Sequence, residues 1–117
     1  MSAPVLMPGL AVTTGRTTLF GFDPVSGQVL WSDVERAEGP LAPPAIDSDA
    51  RLLVYTEGNN PRESGVVAVD IASRDRRWKF SLEDISRGGP TVSGGTVFVG
   101  SRDRFVYAID GQRGTLR

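Results

Sequence analysis

A repeat of roughly 40 residues constrains the fold of this chain more than any local motif does. In three places an apolar segment runs into an aspartate that is followed by turn residues, and these aspartates are Asp23, Asp70 and Asp110. A tryptophan follows eight residues after each of the first two aspartates, at Trp31 and Trp78. We therefore expect a stack of similar units, because a unit of this length cannot bury its apolar face alone.

A second marker keeps the same period. Short apolar segments begin at Pro4, Pro44 and Pro90. Asp23 precedes Pro44 by 21 residues, and Asp70 precedes Pro90 by 20. Two independent markers with one spacing make coincidence a poor explanation.

Each unit is predicted to contain four short strands, of which the first begins at the proline, the third ends at the aspartate and the fourth ends at or near the tryptophan. The second strands are predicted at 10–14, 52–56 and 96–99, the third at 18–22, 66–69 and 105–109, and the fourth at 28–31, 76–80 and an incomplete 115–117. The third strands are apolar on both faces, so they need cover on both sides.

Specific roles are predicted for the residues around each aspartate. The aspartates are expected to accept hydrogen bonds from the amides of the turns that follow them. Gly27 and Gly114 lie in those turns and suit positions with positive φ. Trp31 and Trp78 are expected to pack in the seams between neighbouring sheets, where a large aromatic body fills the space.

Four antiparallel strands repeated about every 40 residues predict an all-β fold built of β-propeller blades, although periodicity alone leaves a β-sandwich open. The predicted blades cover about 3–33, 43–80 and 89–117, with the last strand of the third blade incomplete. Propellers close with four to eight blades, so three blades form a partial ring. Two hypotheses follow: the chain is a fragment of a longer propeller, or identical chains associate to complete a ring.

The repeat resembles that of the pyrroloquinoline-quinone-like (PQQ-like) β-propeller family. The residues that carry the resemblance are 95–101 (GTVFVGS), 105–110 (FVYAID) and Gly114, and the set of Asp23, Ser26, Gly27 and Trp31 fits the same repeat. The resemblance covers nearly the entire chain. It marks structural positions, and therefore says more about the fold than about chemistry.

The resemblance implies one of two kinds of function. Quinoprotein dehydrogenases of this family hold PQQ and calcium at the propeller centre, with acidic and amide ligands, a catalytic aspartate and commonly an adjacent cysteine pair. Non-catalytic relatives, including the outer-membrane assembly factor and the sensor ectodomains of some kinases, use the ring as a protein-binding platform.

This chain has no cysteine and no histidine, and its repeat aspartates are already assigned to turns. We therefore expect a non-catalytic protein-interaction scaffold, with no catalytic, metal or cofactor residues in this chain, in an extracytoplasmic setting such as the periplasm or cell envelope. The alternative is part of a PQQ- and calcium-dependent oxidoreductase, whose site would lie in further blades.

The loop between the second and third strands of the middle unit is the candidate partner-binding surface. It is about four residues longer than its counterparts and contains Asn59, Asn60, Arg62 and Glu63. Long loops on a rigid scaffold commonly carry binding residues. The other interpretation is a solvated hairpin tip, because the same residue types favour turns.

Two charged motifs have a structural interpretation that we favour over a functional one. Residues 47–49 (DSD) alternate carboxylates as calcium loops do, but they lack the glycine and the distal glutamate of that pattern, so a hairpin turn is expected. Residues 74–79 (RDRRWK) combine basic side chains with an aromatic one, as surfaces for single-stranded nucleic acid do. In a strand, however, Arg76 and Arg77 point to opposite faces, which favours a solvated outer strand.

The overall charge and hydropathy give no support for a nucleic-acid partner or for a membrane-embedded chain. A net charge of −1, from 13 basic and 14 acidic residues, gives no electrostatic case for a nucleic-acid or anionic-membrane partner. No apolar segment approaches the length of about 18 residues that a membrane span requires.

Overall fold

Eleven β-strands form three antiparallel sheets in the computed structural model, which describes residues 5–7, 10–14, 19–33, 44–47, 50–58, 62, 64–73, 75–84, 88–102 and 104–117. The first sheet contains β1 Val5–Met7, β2 Leu10–Thr14, β3 Leu19–Phe22 and β4 Val29–Asp33. The second contains β5 Ala45–Asp47, β6 Leu52–Glu57, β7 Gly65–Asp70 and β8 Arg76–Ser81. The third contains β9 Thr91–Ser93, β10 Thr96–Gly100 and β11 Val106–Asp110, and Leu116 adds an isolated bridge to Ile109.

Each sheet is an up-and-down meander in which strands adjacent in sequence are paired. The first strands of neighbouring sheets contact each other, β1 with β5 and β5 with β9. The sheets therefore converge at their first strands and are stacked face to face in chain order. This is the arrangement of three consecutive blades of a β-propeller, and it differs from the two facing sheets of a sandwich.

A register shift occurs at the same repeat position in the first two blades. It lies between Gly21 and Phe22 in the first blade and between Ala68 and Val69 in the second. The shift places Trp31 opposite Gly21 and Trp78 opposite Ala68. A Cβ atom at position 21 would overlap the Trp31 indole, so a small residue across the strand pair makes room for the ring.

The core consists of the two seams between blades. The first seam, between blades one and two, contains Leu10, Val12, Leu53, Tyr55, Val67 and Val69, with Trp31, Ile46 and Ile71 packed against them. The second seam, between blades two and three, contains Leu52, Val54, Val66, Ala68, Leu82, Val97, Val99 and Ile109, with Ala50, Trp78, Phe80, Val92 and Tyr107 packed against them. Alternate residues of β6 and β7 enter opposite seams, so both strands are buried on both faces. The sequence predicts this cover for β7, the third strand of its blade.

The end blades each leave one apolar face uncovered among the described residues. On the third blade, Phe98 is 40% exposed and Val106 74%. Val106 and Phe98 lie on the same face as Ala108, which corresponds to the face of the second blade that the third blade covers. Contiguous exposed apolar surface of this kind marks a contact site in soluble proteins.

Candidate functional site

The short turns of each blade lie together on one face of the stack, which we call the turn face. In the middle blade the Ile71 amide donates a 3.0 Å hydrogen bond to the Arg51 carbonyl. In the third blade the Gly111 amide donates a 2.9 Å bond to the Gly95 carbonyl. Both acceptor residues have positive φ, +57° at Arg51 and +78° at Gly95, so arginine adopts a conformation in the middle blade that favours glycine.

Each repeat aspartate accepts hydrogen bonds from the turn that follows it. The Asp23 Oδ1 atom accepts bonds from the amides of Val25 and Ser26, at 2.8 and 3.2 Å. The Asp70 Oδ1 atom accepts them from Ala72 and Ser73 at 2.9 and 3.0 Å, and the Asp110 Oδ1 atom from Gln112 and Arg113 at 2.9 and 3.0 Å. These aspartates therefore organise the turn between the third and fourth strands of each blade, which we call the three-to-four turn, as predicted from the sequence.

The same bonds lower the pKa of two of these carboxyl groups. The Ser73 amide holds the pKa of Asp70 below its ordinary value, with further help from Ala72 and from the Arg77 guanidinium. The Arg113 and Gln112 amides lower the pKa of Asp110, and the positive charge of Arg117 acts in the same direction. Both carboxylates are thereby stabilised as anions in the folded turn.

Trp78 connects the second blade to the turn face of the third blade. Its indole Nε1 donates a 2.9 Å hydrogen bond to the Gly111 carbonyl. Its ring lies against Gly114, where a Cβ atom would overlap the indole and where φ is +73°. Glycine is therefore required at position 114 for two reasons: it adopts the positive φ of its own turn, and its missing side chain leaves room for the tryptophan ring of the preceding blade.

The candidate partner-binding loop lies on the opposite face, which we call the loop face. Its base is fixed: Gly58, with φ of +96°, follows β6, and the buried Ser64 accepts a 3.0 Å hydrogen bond on its carbonyl from the Leu82 amide. Arg62 is exposed in a turn at this face. Asn59, Asn60 and Glu63 lie outside the described residues, so a binding role for this loop stays a prediction.

A buried carboxylate at the loop base was not predicted from the sequence. Glu57 ends β6 and is only 2% exposed. Its carboxylate pairs with the Arg76 guanidinium at 3.3 Å and with Lys79 Nζ at 3.0 Å, both from the outer strand β8. Gly65, on β7 between them, makes this possible, because a Cβ atom there would lie 2.6 Å from Lys79 Cε. The only signal in the sequence is one acidic residue at the end of an otherwise apolar strand.

The basic segment 74–79 is accordingly engaged within its own blade. Arg76 and Lys79 pair with Glu57, and Arg77 lies 3.5 Å from the Asp70 carboxylate. Arg74 lies outside the described residues. The charges of β8 are thus those of a paired outer strand, which is the interpretation that the sequence favours.

The acidic segment 47–49 begins with Asp47, the last residue of β5. Asp47 is buried, and its Oδ1 atom accepts a 3.1 Å hydrogen bond from the Ala50 amide. Asp49 lies outside the described residues. Across the described part of the chain, no three histidine, cysteine or acidic side chains lie close enough together to hold a metal ion. In the same ranges, no helix has the length and hydropathy needed to cross a bilayer.

Comparison with known proteins identifies the repeat. The family model described as "Outer membrane protein assembly factor BamB" matches residues 62–117, a little under half of the chain. A search of curated protein sequences gives no significant match. With the blade geometry, the family match confirms the predicted resemblance to PQQ-like propeller repeats.

Three solved structures share the architecture. BamB from Moraxella catarrhalis is 17% identical, with a TM-score of 0.75, and the alignment covers 99% of this chain and 33% of that one. Sqt1 from Saccharomyces cerevisiae is 15% identical, with a TM-score of 0.83 and coverages of 98% and 33%. The quinohemoprotein alcohol dehydrogenase ADHIIG from Pseudomonas putida HK5 is 17% identical, with a TM-score of 0.71 and coverages of 98% and 19%. At these identities the likeness shows the β-propeller fold and not the function. This chain spans a third or less of the length of each of the three proteins.

Proposed function

We propose that this chain is a non-catalytic segment of a larger PQQ-like propeller, and that the complete ring acts as a protein-interaction scaffold of the cell envelope. The match of residues 62–117 to the family described as an outer membrane protein assembly factor carries the proposal. A further support is the pair of uncovered apolar faces on the end blades, which suit contact with additional blades.

The loop face is the surface that we propose for the partner. Its long loop rises from a blade whose central strands are buried on both faces, so the scaffold beneath it is rigid. Glu57 and Ser64 hold the two ends of the loop, while Arg62 is exposed between them. A rigid base with an exposed tip lowers the entropy lost when a protein partner binds.

Shortening the loop tests this assignment. In the complete protein, we expect replacement of residues 58–64 by a two-residue turn to preserve the melting temperature and to weaken partner binding. Chemical cross-linking in cells would identify the partner, and binding would then be measured with both proteins purified. The matched control is the double substitution of the exposed turn-face residues Gln112 and Arg113 by alanine. Equal binding by the loop variant and the control would remove the loop from the proposal.

A second candidate function is an oxidoreductase of the quinoprotein type, which the likeness to the quinohemoprotein alcohol dehydrogenase over 98% of this chain favours. Because the described residues gather no set of three metal-binding side chains, we assign no step of a quinone reaction to them. Titration of PQQ with calcium into the complete protein separates the two candidates. Saturable binding, together with dye reduction by an alcohol or sugar, would overturn the scaffold proposal.

A further inference from the structure

The second seam departs from the repeat at one point on the turn face. In the middle blade, Ile71 follows the repeat aspartate and packs against the first-seam cluster. In the third blade Gly111 holds the corresponding position, and its amide bonds to the Gly95 carbonyl as the Ile71 amide bonds to that of Arg51. The backbone is thus repeated, whereas the third blade has no apolar side chain at this position.

A buried carboxylate lies opposite this glycine. Asp47, at the end of β5, is only 7% exposed. Its Oδ2 atom would lie 3.3 Å from a Cβ atom on Gly111, so the glycine leaves room for the carboxylate. By strand register the corresponding residue of the first blade is Met7, which pairs with Leu10 as Asp47 pairs with Leu52. An acidic residue and a glycine therefore lie where the first seam has two apolar residue types.

Only one oxygen of this carboxylate is bonded within the described part of the chain. The Oδ1 atom accepts the 3.1 Å bond from the Ala50 amide. Gly111 offers no donor to Oδ2, because its amide is bonded to the Gly95 carbonyl. Between described residues, the ion pairs of arginine and lysine go to other carboxylates, those of Glu57, Asp70 and Asp110. A carboxylate withdrawn from water is costly unless a cation or further donors reach it.

A cavity of about 310 Å³ opens beside Asp47 between the two blades. Its lining includes Asp47 and Ala50 of the middle blade and Gly95, Asp110, Gln112 and Arg117 of the third. Arg117 pairs with the Asp110 Oδ2 atom at 3.3 Å, so these two charges balance each other. The described wall therefore carries one unbalanced negative charge, that of Asp47.

We propose that this cavity, which we call the Asp47 site, binds the primary ammonium group of a small-molecule amine. One positive charge balances Asp47, and the N–H groups of an ammonium can donate to the Oδ2 atom and to the second lone pair of the Gly95 carbonyl. The site lies on the turn face, away from loop 58–64, so the inference does not rest on the proposed function.

The lining favours this ligand over two other kinds of cation. A quaternary ammonium has no N–H donor and is recognised by aromatic rings, whereas the described lining contains none. Calcium takes about six to eight oxygen ligands, commonly several carboxylates, and the described residues gather no set of three acidic side chains. A carboxylate with one unbonded oxygen suits a single charged donor group.

Propylammonium chloride is the probe for the Asp47 site. Added to the isotope-labelled 117-residue chain at constant ionic strength and followed by NMR, it is expected to shift the Ala50, Gly95 and Gln112 amides in a saturable way. Tetramethylammonium chloride carries the same charge without an N–H donor and is expected to bind about tenfold more weakly. Equal binding of the two cations, or calcium chloride that shifts the same amides as strongly as propylammonium does, would overturn the proposal.

The substitution Asp47→Asn tests the carboxylate itself. Asparagine keeps an oxygen that can accept the Ala50 amide bond and removes the charge, so we expect a loss of affinity of about tenfold or more. Asp75→Asn is the matched control, because it removes a negative charge at an exposed position of the same face and should leave the affinity unchanged. Equal affinities of the two variants would contradict the assignment.

A second variant keeps the test decisive if Asp47→Asn fails to fold. Gln112 is exposed and lines the cavity, so Gln112→Lys brings a tethered ammonium group to the Asp47 site. We expect this group to compete with propylammonium and to lower its affinity about threefold or more. Arg113→Lys places the same group on the next exposed residue, outside the lining, and should not compete. Unchanged affinity in Gln112→Lys would refute the site.

Discussion

At the scale of single residues, the repeat positions determine how blades join. Trp78 is the clearest case, since one side chain fills the second seam, bonds to Gly111 and requires a glycine at position 114. A large aromatic side chain that is packed on several sides and hydrogen-bonded contributes more than its buried area alone.

Replacement of Trp78 by alanine should therefore lower the free energy of unfolding by about 3 kcal/mol, the lower end of the usual cost of deleting a large aromatic side chain, because the ring is partly buried. Chemical denaturation followed by circular dichroism would measure it. Trp78→Phe is the matched control, because it keeps an aromatic ring and removes the N–H donor with the five-membered ring of the indole, and it should cost less. A loss under about 1 kcal/mol for Trp78→Ala would mean that the indole is not packed in the seam.

Arg51 is a non-glycine residue in a backbone conformation that favours glycine. Its φ of +57° costs a non-glycine residue about 1 to 2 kcal/mol, and glycine would recover this at the expense of a more flexible unfolded chain. We expect Arg51→Gly to raise the free energy of unfolding by about 0.5 kcal/mol. Arg102→Gly, at an exposed turn position, is the control and should not stabilise. Equal effects of the two substitutions would contradict the role assigned to φ.

At the scale of the element, the three-to-four turns depend on ionised aspartates. The folded-state pKa of Asp70 and Asp110 lies below the ordinary value, so each contributes stability that is present above the unfolded pKa of about 4 and is lost as the pH falls through the folded pKa. Unfolding measured between pH 6 and pH 2.5 should show this acid loss.

The double variant Asp70→Asn, Asp110→Asn provides the control for that prediction. Asparagine keeps an oxygen that can accept the turn amide bonds but does not titrate, so the variant should lose less stability than the wild type over the same range. Parallel curves for the two proteins would show that other carboxyl groups cause the acid loss.

The outer strand β8 is held to β6 by Glu57. Glu57→Gln removes the charge that pairs with Arg76 and Lys79, and we expect a loss of about 1 to 2 kcal/mol, since both cations are partly exposed and solvent weakens the pairs. Arg77→Gln, which breaks an exposed pair with Asp70, should cost less than about 1 kcal/mol. If the Glu57→Gln loss is no larger than that of Arg77→Gln, the buried pair does not anchor the strand.

At the scale of the whole molecule, two covered seams alternate with two uncovered end faces. Val106 is 74% exposed on the third blade, at a face that corresponds to a buried one in the second blade. Val106→Lys should therefore reduce association between chains at a given concentration without lowering the melting temperature. The control is Arg113→Lys, at an exposed position on the turn face, and it should leave association unchanged. Equal association of wild type and Val106→Lys would show that the chains do not associate through this face.

The sequence predicts the architecture well because its markers are local. An apolar strand, an aspartate and a glycine within one turn determine their own hydrogen bonds, and their spacing determines the blade. The pairing of Glu57 was not predicted because it is not local. Its partners are on β8, two strands away, and reach it across Gly65. The Gly111 acceptor likewise belongs to a different blade from its donor. A binding role for loop 58–64 depends on the surface of a partner, which is a property of another molecule.

Sedimentation velocity of the 117-residue chain over a hundredfold range of concentration tests the central claim most directly, namely that these are three blades whose end faces require neighbours. We expect a sedimentation coefficient that rises with concentration, because the apolar end faces associate. A stable monomer at every concentration, with a single cooperative melting transition, would contradict it.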